Sequence, residues 1–296
     1  VKHLSVAGYC TNIDLNAPFV PAQLSDIDDS VLIRDVLNDL TSAWRQLGIK
    51  DPSTLSHQDQ RRLLDAAITI APPFSLNAHS KAALDTLLQR ERASTTETHV
   101  GNLPPFLTLG NTKIVLWRGD ITTLNADAIV NAANSQLLGC FLPQHKCIDN
   151  AIHNRAGVQL REDCDVLIKL QGHDEPTGIA KITRAYNLPS RYVIHTVGPI
   201  VQGAVTSDSK RLLSSSYSSI LDTTQTVDNI RSLAFCSIST GVFGYPIEQA
   251  TPLALKTVAQ WVKANPDALD TVVFNVFSEH DYNVYQSALE EFICKN

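Results

Sequence analysis

Two rhythms of hydrophobic and polar positions divide the chain near residue 100. Before that point, apolar residues return every three or four positions. In DSVLIRDVLNDLTSAWRQLGI, Leu32, Val36 and Leu40 stand four apart with Leu37 and Trp44 alongside, which predicts one amphipathic helix ending near Gly48. SHQDQRRLLDAAITIAPP predicts a second, with Ser56 as a possible cap and Pro72 and Pro73 as its stop. SKAALDTLLQRERA predicts a third. None holds a reactive cluster, so residues 1–100 read as a helical N-terminal region packing on a main domain of residues 101–296.

Past THVGNLPPFLTLGN the rhythm changes. Short β-branched runs (KIVLWRGDI, ADAIVNAA, GIAKITRAYN, RYVIHTVGP, SLAFCSIST, TVVFNVF) alternate with helical stretches such as SDSKRLLSSSYSSILDTTQTV and PIEQATPLALKTVAQWVKAN. This alternation predicts an α/β fold with a mixed, largely parallel sheet covered by helices on both faces. Ligands of such folds gather at the loops leaving the carboxyl ends of strands.

Composition narrows the partners. The 296 residues are 44% hydrophobic and 18% charged, as in a globular protein. A net charge of -6 gives no basic footprint for duplex nucleic acid, but small phosphates can still be held by backbone amides. No apolar run is long enough to span a bilayer, and no charged-then-apolar leader opens the chain. With Val1 first and no methionine, a processed form is expected. Six cysteines, at 10, 140, 147, 164, 236 and 294, are too sparse for a disulfide framework and suit a reducing, intracellular and cytoplasmic setting.

Three strand-end loops carry candidate binding groups. In SISTGVFGYP, Gly241 and Gly244 allow close backbone approach, and Ser239 and Thr240 can donate hydrogen bonds ahead of a helix starting near Pro246. That suits an anion, or is simply a strand-to-helix turn. In IVNAANSQLLGC, Asn131 and Asn134 can donate to and accept from sugar hydroxyls, or merely end a strand. In WRGDIT, Asp120 can accept from a purine amine, or cap the following turn.

A fourth feature is GCFLPQHKCID, which places Cys140, His145 and Cys147 in C-x4-H-x-C spacing on one loop. These are good zinc ligands, and three protein ligands with one open position is the catalytic rather than the structural pattern. Two thiolates and a neutral imidazole cancel the charge of a divalent ion, so the centre should orient oxygens more than it acidifies water. Asp149 opens the helix IDNAIHNRAG, where the helix N-terminus and zinc should favour its ionised form. It can activate water or support His145, and the two roles are compatible. His153 lies one turn further on, and the other four cysteines are expected to be buried thiols.

The order of GDITTLNADAIVNAAN, IDNAIHNRAG, GIAKITRAYNLPSRYVIHTVGP and SISTGVFGYP resembles the macrodomain family, its MacroD-type branch most closely, over residues 112–294. The resemblance implies a three-layer α/β/α fold that binds ADP-ribose. It implies Asp120 at the adenine, Asn134 at the distal ribose, and Ser239, Thr240, Gly241, Val242, Phe243, Gly244 and Tyr245 as the diphosphate loop, with Phe243 or Tyr245 against the distal ribose; Ile121 and Asn131 are further ADP-ribose-binding candidates. Where most relatives carry a glycine-rich run, this chain has CFLPQHKC. That is similar to zinc-dependent macrodomains, often found beside sirtuin-like ADP-ribosyltransferases. The implied activity is removal of mono-ADP-ribose from a modified protein, first of all an Asp or Glu ester, with Asp149 and Asn134 as catalytic residues. Release of acetate from O-acetyl-ADP-ribose is an implied side activity. A non-catalytic ADP-ribose reader shaped by zinc is the alternative, and a structural zinc domain without a nucleotide a more distant one.

Overall fold

The structure is a computed structural model that describes residues 3–295. The periodic N-terminal stretch forms four helices, α1 (Asp29–Asp39), α2 (Thr41–Gln46), α3 (His57–Ile70) and α4 (Ala78–Ala93). The helix expected to run to Gly48 instead breaks at Leu40, which leaves helical geometry at φ -96° and ψ 26°. No proline or glycine causes this. The bend brings the Trp44 indole back over α1, where Nε1 donates to the Leu37 carbonyl at 2.9 Å while Leu40 stays buried. Ser56 caps α3 by accepting the Asp59 N–H, and Asn77 caps α4 by accepting that of Ser80. The apolar faces, including Leu32, Val36, Leu64 and Leu84, close on one another as a separate small core.

Leu24 and Ile27, just ahead of α1, pack on this core, but earlier residues belong elsewhere. Tyr9, Ile13 and Leu15 are buried in the core of the sheet domain, not in the helical one. The Tyr9 hydroxyl donates to the Ile182 carbonyl at 3.1 Å and accepts the Ile182 N–H at 2.9 Å. The residues up to Leu15 thus pack with the sheet, whereas those from Leu24 on pack with the helices α1 to α4.

The main sheet has seven strands: β2 (Leu107–Leu109), β3 (Thr112–Arg118), β5 (Ala128–Ala132), β6 (Ala180–Arg184), β7 (Tyr192–Thr196), β8 (Ser232–Phe235) and β9 (Thr271–Val276). A separate parallel pair joins β1 (Thr98–His99) to β4 (Leu124–Asn125). The order in the main sheet is β2-β3-β9-β8-β5-β7-β6. The five central strands run parallel, and the edge strands β2 and β6 run antiparallel to their neighbours. Val193, Ile194, Leu233, Ala234, Val272 and Val273 are all fully buried, which is the continuous apolar pattern of strands covered on both faces.

Helices α5 (Ile148–Ala156) and α6 (Val158–Gln171) form one covering layer. The other is α7 (Ser207–Thr224), α8 (Ile247–Ala264) and α9 (Glu279–Lys295), packed in series. The expected α/β/α arrangement with a mixed, mostly parallel sheet is the observed one. Gly157, at φ 100°, separates α5 from α6 where a side chain would be strained. The helical unit sits on this layer through polar contacts: Lys81 pairs with Glu162 at 2.6 Å, and Asp85 accepts from Gln159 and Asn187. No helix among the described residues is long and apolar enough to cross a membrane.

Candidate functional site

The carboxyl ends of β5, β7, β8 and β9 surround a cavity of about 470 Å³. Its walls come from the ends of those strands and the loops after them: Ala132 to Asn134, Gly198, Cys236, Ser237, Ser239 to Phe243, and Asn275 to Phe277. The stretch from Cys140 to Asp149 closes one side. A concave site with few, convergent polar groups at this end of a parallel sheet is where ligands of such folds bind.

The loop after β8 presents backbone. The N–H groups of Gly241, Val242 and Phe243 donate to no other group among the described residues. Neighbouring bonds hold them in place: Gly244 N–H to the Gly241 carbonyl, Tyr245 N–H to Ser239, and Val201 N–H to Phe243, at 2.8–3.0 Å. Gly244 is required twice over, because its φ is +70° and an added Cβ would lie 2.8 Å from the Val201 carbonyl oxygen. Unengaged amides converging ahead of a helix make an anion cradle. Phe243 lines the cavity, whereas Tyr245 is buried behind it with its hydroxyl unpartnered. Of the two aromatics expected near the distal ribose, only Phe243 faces the space.

The loop after β5 presents side chains. Cys140, His145 and Cys147 bring their ligand atoms within 4.8 Å of one another, with Cys140 Sγ 3.1 Å from His145 Nδ1. Cys147 also caps α5, its Sγ accepting the Asn150 N–H at 3.4 Å. Burial pushes the Cys147 thiol up to about 12, against the Asn150 N–H that favours the thiolate. Two sulfurs this close ionise together only beside a compensating positive charge, which a divalent cation supplies. The trio could hold a metal ion, and a sulfur-rich donor set suits a borderline-soft one. Neither Asp149 nor His153 belongs to that cluster.

Asp149 lies in the first turn of α5, 5% exposed, at the cavity wall. Its Oδ1 accepts from Asn131 Nδ2 at 2.8 Å. Burial raises its pKa to about 6, opposed by that hydrogen bond and by the charge of Arg161. The protein's own surroundings thus favour the neutral acid more than an open helix N-terminus suggests, while a cation at the sulfurs pulls the other way. His153 Nε2 lies 3.4 Å from Asp149 Oδ1 without making a hydrogen bond, and complete burial keeps that imidazole neutral.

Asn131 does not reach the cavity. It is fully buried on β5, and its Nδ2 bridges Asp149 to His195 Nδ1 at 3.1 Å. Strand alternation turns residue 131 toward α5, where its amide holds the acid. Asn134 does line the cavity, and its amide is tied to the loop through the Gly139 carbonyl and the Gln136 N–H. Asp120 and Ile121 lie outside the lining. Asp120 caps a turn through Oδ1, which accepts from both the N–H and the hydroxyl of Thr122. It follows β3, whose sheet neighbour β9 carries the lining residues Asn275 and Val276.

Residues not foreseen also line the space. Asn275 joins β9 to the Gly119 carbonyl, and Phe277 just past β9 is 79% exposed. An exposed phenylalanine ending an otherwise buried strand was the available signal. Of the remaining cysteines, Cys164 and Cys236 are buried as expected, but Cys10 is half-buried and Cys294 exposed.

A doubly covered, mostly parallel sheet with unengaged backbone amides and an asparagine lining a cavity at its carboxyl end defines an α/β domain with a concave site at the strand ends. The profile of the family described as Macro domain matches residues 130–254. The chain is 44% identical over 242 residues to a Treponema medium protein named protein-ADP-ribose hydrolase, covering 82% of this chain and 91% of the relative. It is 36% identical over 292 residues to a Fusarium oxysporum protein named "Probable bifunctional ADP-ribose hydrolase/ADP-ribosyltransferase", covering 90% of this chain and 48% of that one. The Trypanosoma brucei macrodomain in complex with ADP-ribose superposes with a TM-score of 0.58 at 31% identity, over 76% of this chain and 94% of that one. The chain belongs to the macrodomain family.

Proposed function

We propose that this protein is a zinc-dependent hydrolase that releases mono-ADP-ribose from modified proteins. The observation carrying the reading is that the amide cradle, Asn134, Asp149 and the Cys140–His145–Cys147 cluster all line one cavity. The names and bound ligand of the relatives point the same way.

The roles follow from position. The amides of Gly241 to Phe243 take the diphosphate, which fixes the distal ribose toward Asn134 and Asp149. Asp120 retains an uncommitted Oδ2 for the adenine amine, and the neighbouring wall of Asn275 and Phe277 borders that end. Cys140, His145 and Cys147 would hold zinc through three ligands, and the bound ion would supply Lewis-acid chemistry at the ribose oxygens. Asp149, oriented by Asn131, accepts the proton of a water whose oxygen bonds to the anomeric carbon of the ribose. The bond to the modified side chain breaks, and an Asp or Glu carboxylate leaves as the anion. A carboxylate leaving group needs no proton, which favours the ester as substrate. The same pocket then accepts O-acetyl-ADP-ribose as a side substrate. A separate ADP-ribosyltransferase must write the mark, and the two activities named for the Fusarium relative suit that pairing.

The test is incubation with mono-ADP-ribosylated protein, with and without chelator, for the native chain and Asp149→Asn. The native chain is expected to release ADP-ribose until chelated and to recover with zinc. Asp149→Asn is expected to keep zinc and ADP-ribose binding and lose turnover by about 10²-fold or more. Binding without release in the native chain makes it a reader, and full release in chelator removes the metal from the mechanism. Zinc loss in Asp149→Asn makes the acid a support of the metal site instead.

A further inference from the structure

The loop carrying the metal cluster is irregular and strained. Leu137, Phe141 and Gln144 all have positive φ, of 59°, 55° and 62°. Something outside the loop must over-determine that shape. Arg161, on α6 and 5% exposed, lies directly behind it. Its Nε donates to the Leu138 carbonyl at 2.7 Å, and its guanidinium carbon lies 4.6 Å from the Phe141 ring centroid. The other two nitrogens of the fork donate to a different element. Nη1 donates to the carbonyls of Ile68 and Ala71 at 2.7 and 2.6 Å, and Nη2 to that of Thr69 at 3.0 Å.

Those three carbonyls are the open C-terminal end of α3, where Pro72 and Pro73 forbid a further turn. A cation there meets both unpaired acceptors and the negative end of the helix. The same turn grips the other end of the loop. Thr69 Oγ1, whose proton goes to the Asp65 carbonyl at 2.7 Å, accepts from Asn154 Nδ2 at 3.0 Å and lies 3.2 Å from Asn150 Oδ1. Asn150 Nδ2 in turn donates to the His145 carbonyl at 3.0 Å and lies 3.4 Å from that of Leu142. Both flanks of the cluster therefore lead to one helix turn in the N-terminal unit.

We propose that the helical unit is a brace for the metal loop, with Arg161 and Thr69 as positioning residues that hold Cys140, His145 and Cys147 in ligating geometry. The inference rests on the metal reading above for its purpose, not for its geometry. It gives the helices before residue 100 a task at the site, although none of their side chains lines the cavity.

The test compares the full chain with Arg161→Lys, Thr69→Val and Thr69→Ser, well below each melting temperature. Amide hydrogen exchange over residues 139–147 is read in metal-free protein, and zinc release to a chromogenic chelator in loaded protein. Arg161→Lys loses the planar fork, and Thr69→Val loses the hydroxyl while keeping its shape. Both are expected to speed loop exchange and zinc release about 10-fold or more, with Thr69→Ser restoring both. If these variants lower the melting temperature yet leave exchange and release at native rates, the contacts merely stabilise the fold and the brace is refuted. If the native chain takes up no zinc, the metal reading falls and loop exchange alone decides the brace.

Discussion

Two of the loops around the cavity leave neighbouring parallel strands, β5 and β8, and they present opposite kinds of chemistry. The β8 loop offers main-chain N–H groups and is fixed by its own backbone bonds. The β5 loop offers sulfur and imidazole and is fixed by side chains from other elements, chiefly Arg161 and Asn150. A backbone-built site depends on φ and on the absence of a Cβ at one or two places. A side-chain-built site depends on residue identity and on remote supports.

That contrast fails or sharpens under three substitutions. The largest effect is expected for Cys147→Ser. Serine is a better helix cap than cysteine, so α5 is not weakened, yet one of the three proposed metal ligands is lost. Zinc affinity should fall by more than about 100-fold, read by metal content after dialysis, while ADP-ribose affinity changes far less. Equal loss of both would mean that the loops are not separable.

Gly244→Ala is the reciprocal case. The left-handed conformation costs an alanine about 1–2 kcal/mol, and the clash with the Val201 carbonyl adds to it. ADP-ribose affinity by calorimetry should drop about 10-fold or more with zinc content unchanged. Retained affinity would deny the β8 loop its anion role. Val242→Ser should do least. That side chain is 74% exposed and only its N–H is assigned a task, so affinity should stay within about 2-fold. A larger change would mean that this loop, too, acts through side chains.

Local pattern revealed what local physics decides. Strand and helix alternation after residue 100, the cap Ser56, and the C-x4-H-x-C spacing were visible because each is set within a few residues. What stayed hidden depends on distant partners. The break at Leu40 answers to the return of Trp44, not to a helix breaker. Asn131 reads as a sugar ligand until the sheet turns it onto Asp149. Arg161 looks like one more charge in an amphipathic helix, because its acceptors at Ile68 to Ala71 lie some ninety residues earlier. The buried Tyr9 carries no periodicity at all.

Tyr9 has a consequence for how the molecule behaves among its own copies. Strand β6 ends the sheet, and an end strand normally displays a row of free amides and carbonyls to which any extended segment can attach. One phenol fills both hydrogen-bonding positions of Ile182, at the middle of that row. An incoming strand meets an interrupted ladder, so a single aromatic ring guards the rim against polymerisation.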